Sequence, residues 1–114
     1  MFKQYVIIPK KPKMTPGKIA SQTAHATFMA LEKQKNKAII KAWKESGMCV
    51  IVLQCSSPTQ LYGIAHYLDE WKIANHLYID EGMTEVEMGT PTALATEVLG
   101  PEWQWIFKNL ELLR

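Results

Sequence analysis

Met48-Cys49-Val50-Ile51-Val52-Leu53-Gln54-Cys55 is a continuous apolar run, and its reading decides the fold. A run of this length, rich in β-branched residues and followed by Ser57-Pro58, reads as a strand buried on both faces. Helical patterns stand on either side of it. Upstream, Asn36 caps a short helix carrying Ile39, Ile40 and Trp43, which stops near Gly47. Downstream, Ser57-Pro58 opens a helix whose Leu61, Ile64 or Ala65, Leu68 and Trp71 face inward. Further upstream, Tyr5–Pro9 reads as a first strand. Thr15 is a good N-cap and Pro16 suits the first helical position, so a helix is expected over Pro16–Gln34. Its apolar stripe is read as Ala20, Ala24, Phe28 and Leu31. His76–Ile79 is a short strand ending at Asp80, Glu81–Gly89 a polar loop, Pro91–Val98 a further strand and Pro101–Leu112 a last helix.

Alternation of strands and helices around buried β runs predicts an α/β fold: a three-layer α/β/α sandwich on a four-stranded sheet. The linker before the last strand is too short for a parallel crossover, so one strand is expected to be antiparallel. No linker, repeat or low-complexity segment divides the chain, and residues 1–114 are expected to form one domain. No apolar run approaches the ~20 residues needed to span a bilayer, and no signal-peptide pattern opens the chain. A cytoplasmic protein is expected. Cys49 and Cys55 agree with that, since six residues along one strand separate their Cα atoms by roughly 20 Å, far beyond disulfide reach.

Charge is unevenly placed. Residues 1–44 hold ten lysines against Glu32, a formal +9, whereas residues 45–114 hold three basic against ten acidic residues, a formal −7. Such asymmetry points to a polyanionic partner. The sharpest constellation lies on the first helix, where Lys18, Gln22 and His25 share one face at i, i+4, i+7. A lysine in the first turn opposes the helix dipole at a cost of a few tenths to about 1 kcal/mol, which suggests a role outside its own element. Gly17-Lys18 is not a P-loop, because Pro12 stands where that motif needs glycine and Ile19 where it needs Ser or Thr. His25, His66 and His76 lack metal-ligand spacing. Asp80 ends a strand, and open α/β sheets bind ligands outside the carboxyl ends of their strands. If the first strand runs parallel to it, Lys18 and Asp80 meet at one edge. Trp43 and Trp71 read as core residues, and Trp103 and Trp105 cannot both face one side of a helix.

These residues carry a resemblance. Lys13-Met14-Thr15-Pro16-Gly17-Lys18-Ile19-Ala20-Ser21-Gln22-Thr23-Ala24-His25-Ala26 resembles the opening motif of the peptidyl-tRNA hydrolases of the second, archaeal and eukaryotic, type. Trp43, Gly47, Asp80-x-Gly82-x-Thr84, Gly89-Thr90 and Leu110-Glu111-Leu112-Leu113 extend the likeness over nearly the whole chain. The resemblance implies a mixed four-stranded sheet of order 2143 with the last strand antiparallel. It implies hydrolysis of the ester joining a peptide to the terminal ribose of tRNA, with neither metal nor organic cofactor, and a homodimer as a common state. Carried over by position, the catalytic residues are Lys18, His25, Asp80 and Thr84, with Gln22 in the substrate site. Lys10, Lys11 and Lys13 are expected to hold tRNA phosphates. The sequence departs from the family pattern at Met83, where arginine is usual, at Glu85, where glutamine is usual, and at Gln54, where lysine is usual. Two other readings stay open on the residues alone: a binding module of the same fold, holding RNA or a protein, that has lost catalysis, and a domain whose lysines only solvate it.

Overall fold

The computed structural model describes residues 1–81 and 86–114. Strands β1 (Gln4–Pro9), β2 (Val50–Cys55), β3 (Asn75–Ile79), β4 (Pro91–Thr96) and β5 (Glu111–Leu112) form one sheet of order β3-β4-β1-β2-β5. Helices α1 (Pro16–Lys33), α2 (Lys37–Glu45) and α3 (Pro58–Glu70) connect them. The expected four strands are therefore corrected to five: β5 pairs antiparallel with the outer edge of β2 through Leu53–Leu112 and Gln54–Glu111, turning 2143 into 5-2-1-4-3. β1 and β2 are parallel, and β4 runs antiparallel to both β1 and β3. The carboxyl ends of β1, β2 and β3 and the start of β4 consequently share one edge of the sheet.

Alternation along β1 builds two cores. Val6 and Ile8 face α1, where Ala26 and Ala30 meet Ala93 and Ala95 of β4. Tyr5 and Ile7 face the other side with Leu61, Ala65 and Leu68 of α3 and Phe107. Helix, sheet and helix make the three expected layers.

Four local expectations are corrected. The stripe Ala20, Ala24, Phe28, Leu31 is not the packing face of α1: Ala20 and Ala24 are exposed, Phe28 is 62% exposed, and the buried set is Lys18, Gln22, Ala26 and Ala30. Only alanines let α1 approach β4 closely, and the two alanine series are offset by part of a turn. The start of β2 is not buried on both faces, since Val50 is exposed where the two-residue β5 does not reach. The segment Pro101–Phe107 is a 3₁₀ helix, not an α-helix reaching Leu112. Its tighter turn lays Phe107 on Tyr5, ring centroids 4.2 Å apart, and frees Glu111–Leu112 to cover an open strand edge. Trp71, expected inside, is 45% exposed and meets Trp103 and Trp105 edge-on, at 5.8 and 6.0 Å. Trp43 is buried, its indole N–H donating to the Cys49 carbonyl at 2.8 Å. Both cysteines are free thiols, and burial pushes that of Cys55 up.

Candidate active site

Thr15 and Pro16 fix where α1 begins. The Thr15 hydroxyl accepts the Lys18 N–H at 3.3 Å, and proline occupies the first helical turn, where a missing N–H costs nothing. Lys18 therefore points its side chain along the buried face of the helix rather than into water. Asp80 follows the last residue of β3. Its N–H donates to the Thr90 carbonyl and its carbonyl accepts the Gly89 N–H, both at 2.9 Å, so both ends of the loop are held at the aspartate. Gly89 has φ +86°, a left-handed conformation that glycine adopts without strain.

The Lys18 Nζ donates to Asp80 Oδ2, joining residues 62 positions apart in a buried ion pair. The pair sits where the parallel-strand argument places it, at the carboxyl edge of the sheet. Gln22, one turn further along α1, is also buried, and its Oε1 accepts the Thr92 hydroxyl from β4. Lys18, Asp80, Gln22 and Thr92 thus form a polar cluster beside an otherwise apolar interface. Thr92 escaped sequence reading; its one signal is a hydroxyl in the otherwise apolar run Pro91–Ala95, a weak one because threonine is an ordinary strand residue.

His25 is exposed and stacks on Tyr78 of β3, ring centroids 4.7 Å apart and planes 13° from parallel. Its seven-residue offset from Lys18 carries it about 10 Å along the helix axis. The structure brings Lys18, Gln22 and Asp80 together and leaves His25 at the flank. Lys10, Lys11 and Lys13 are exposed in the turn after β1, at the same sheet edge. Lys10 borders a shallow depression with Gln54, Gln60 and Glu111. Gln54 is buried, its side-chain oxygen accepting the Arg114 N–H at 3.4 Å, so it closes the chain end against β2. Thr84 lies outside the described residues, as do Met83 and Glu85. His66 is exposed beside Glu70 at 2.9 Å. Among the described residues, no three His, Cys, Asp or Glu side chains gather into a group able to hold a metal.

Burying an ammonium and a carboxylate is expensive, and a buried pair is commonly no more stabilising than apolar side chains of like volume. The pair is therefore better explained by chemistry than by stability. Such a pair at the carboxyl edge defines the chain as an α/β sandwich with a polar cluster at the edge where open sheets of this class bind ligands. Sequence comparison narrows the class: the family Peptidyl-tRNA hydrolase PTH2 matches residues 2–113, and the chain belongs to it. A peptidyl-tRNA hydrolase of Methanopyrus kandleri is 32% identical over 103 residues, covering 90% of this chain and 86% of that protein. One from Thermoplasma volcanium is 34% identical over 106 residues, 91% and 88% of the two chains. One from Halobacterium salinarum is 36% identical over 88 residues, 77% and 75%.

Proposed function

We propose that residues 1–114 act as one domain that hydrolyses the ester between peptide and tRNA in peptidyl-tRNA, with Lys18 and Asp80 as its reacting pair. The observation that carries this reading is the buried ion pair between α1 and the end of β3. Asp80 takes a proton from water as its oxygen attacks the ester carbonyl carbon. The Lys18 ammonium faces the charge that develops on the carbonyl oxygen. The tetrahedral intermediate then breaks its bond to the ribose oxygen, which takes up the proton that Asp80 had accepted, so that free tRNA and a peptide acid leave and the carboxylate is restored. Gln22, fixed by Thr92, offers its amide N–H groups to the same region. Thr84, two residues beyond Gly82, orients the water or the ester.

His25 takes a different part from proton transfer. Stacked on Tyr78, it presents an aromatic flank on which a base of the tRNA end can lie, a contact worth about 1–3 kcal/mol per base. Lys10, Lys11 and Lys13 hold phosphates at the same edge. A cytoplasmic site of action is consistent with this substrate class.

Release of tRNA from an N-blocked aminoacyl-tRNA tests the reading. Lys18→Ala and Asp80→Ala are each expected to lower turnover at least ~100-fold. Binding of the substrate by the unaltered protein without release would refute it.

A further inference from the structure

The function above uses the N-terminal lysines and leaves those of α2 without a task. Lys37, Lys41 and Lys44 recur at i, i+4, i+7 and line one side of a groove. Phe28 and Leu31 of α1 and Ile40 of α2 form its apolar floor, with Glu32 as its one acid. Phe28 is 62% exposed. The arrangement does little for the helix itself. Like charges at i, i+4 cost an isolated helix about 0.2–0.5 kcal/mol, and α2 carries no acid in its first turn. Lys37 has a local explanation, since its ammonium donates to the Leu31 carbonyl at 3.3 Å. Lys44 stands in the last turn, where a cation suits the helix dipole; among the described residues neither it nor Lys41 is in an ion pair or a side-chain hydrogen bond.

The groove is placed to matter for a long substrate. Phe28 and Leu31 lie ten and thirteen residues beyond Lys18 on the same helix, about 15–20 Å along its axis. No carboxylate stands on α1 before Glu32. In a stacked duplex a strand advances about 3.4 Å per phosphate, so this separation corresponds to roughly five nucleotides.

We propose that the α1–α2 groove is a second RNA contact, in which Lys41 and Lys44, with Lys37, take phosphates of the tRNA body while Phe28 lies against a sugar or base. The inference rests on the peptidyl-tRNA reading, and it locates a contact remote from the reacting ester. A protein segment in the groove is the competing occupant; charge complementarity with the substrate of the same molecule favours RNA.

The test uses the double variant Lys41→Glu/Lys44→Glu, both positions exposed, on two substrates: a full-length N-blocked aminoacyl-tRNA and the same ester on a 3′-terminal fragment of three nucleotides. The variant is expected to raise KM for the full-length substrate at least ~10-fold with kcat within ~2-fold. The slope of log affinity against log salt should shrink by about 1.4–1.8, for two phosphates lost. KM for the fragment should stay within ~2-fold. Lys72→Glu/Lys108→Glu, which changes net charge equally outside the groove, should have a several-fold smaller effect. Phe28→Ala should raise KM for the full-length substrate alone. Equal effects on both substrates, an unchanged salt slope, or an equal effect of the control pair would each overturn the groove as an RNA contact. If the unaltered protein cleaves neither substrate, the hydrolase reading fails first, and the groove proposal falls with it.

Discussion

At the scale of single residues, the Lys18–Asp80 pair separates stability from chemistry. Lys18→Met alone takes the cation of the described ion pair from a buried carboxylate, which typically costs about 3–5 kcal/mol. Adding Asp80→Asn removes the charge of that carboxylate. The double variant is therefore expected to recover most of that loss in a urea titration at unchanged m-value, while remaining at least ~100-fold slower in ester release. A double variant no more stable than Lys18→Met would show that the pair is not the dominant interaction of Asp80. His76 gives a second residue-scale expectation. Burial, and then the nearby Lys33 charge, lower its pKa, and its Nδ1 is buried without a hydrogen-bond partner among the described residues. The unfolded chain then binds a proton near pH ~6.5 that the folded chain refuses until lower pH. Stability is complete above that value and declines as pH falls through the window below it. His76→Phe should flatten this part of the stability–pH curve, read from urea midpoints between about pH 5 and 7; an unchanged slope would remove His76 as its source.

At the scale of elements, α1 shows how buried polar side chains can disguise a packing face. Two alanine series run along the helix, Ala20–Ala24 and Ala26–Ala30. The second belongs to the face that Lys18 and Gln22 make look polar, and that is the face against β4. Ala26→Leu should cost about 1–3 kcal/mol by overpacking the contact with Ala93 and Ala95. Ala24→Leu, on the exposed face, should stay within about 0.5 kcal/mol. Equal costs would mean that α1 lies in a different rotational setting. Hydrophobic periodicity alone could not choose between the series, because alanine contributes little to either. By contrast, the start of α1 was readable from Thr15-Pro16, and the end of α2 from Gly47, where local chemistry fixes the backbone. Pro101–Leu112 had a helical spacing of Trp103, Ile106, Phe107 and Leu110. What sequence could not show was the open edge of β2, which claims Glu111–Leu112 as a strand.

At the scale of the whole molecule, the approach of Lys18 to Asp80 is legible in the sequence, because parallel strands put their carboxyl ends on one edge. Thr92 was not, because its role depends on β4 entering that edge in the opposite direction, beside Gln22. The charge asymmetry was legible too, and in space it divides in two: Lys10, Lys11 and Lys13 in the turn between β1 and α1, and Lys37, Lys41 and Lys44 on α2. The count of phosphates held distinguishes one patch from two. Three contacts at ~0.9 each per logarithm of salt predict that affinity for full-length tRNA falls about 40-fold between 50 and 200 mM, and six predict about 1,800-fold. If both patches engage one tRNA, the unaltered protein should show the steeper dependence. Lys41→Glu/Lys44→Glu should then move toward the shallower one, and a variant altered at Lys10, Lys11 and Lys13 should lose about half as much salt dependence again, for three contacts against two. A steep dependence that survives in both variants would instead locate the phosphate contacts elsewhere on the molecule.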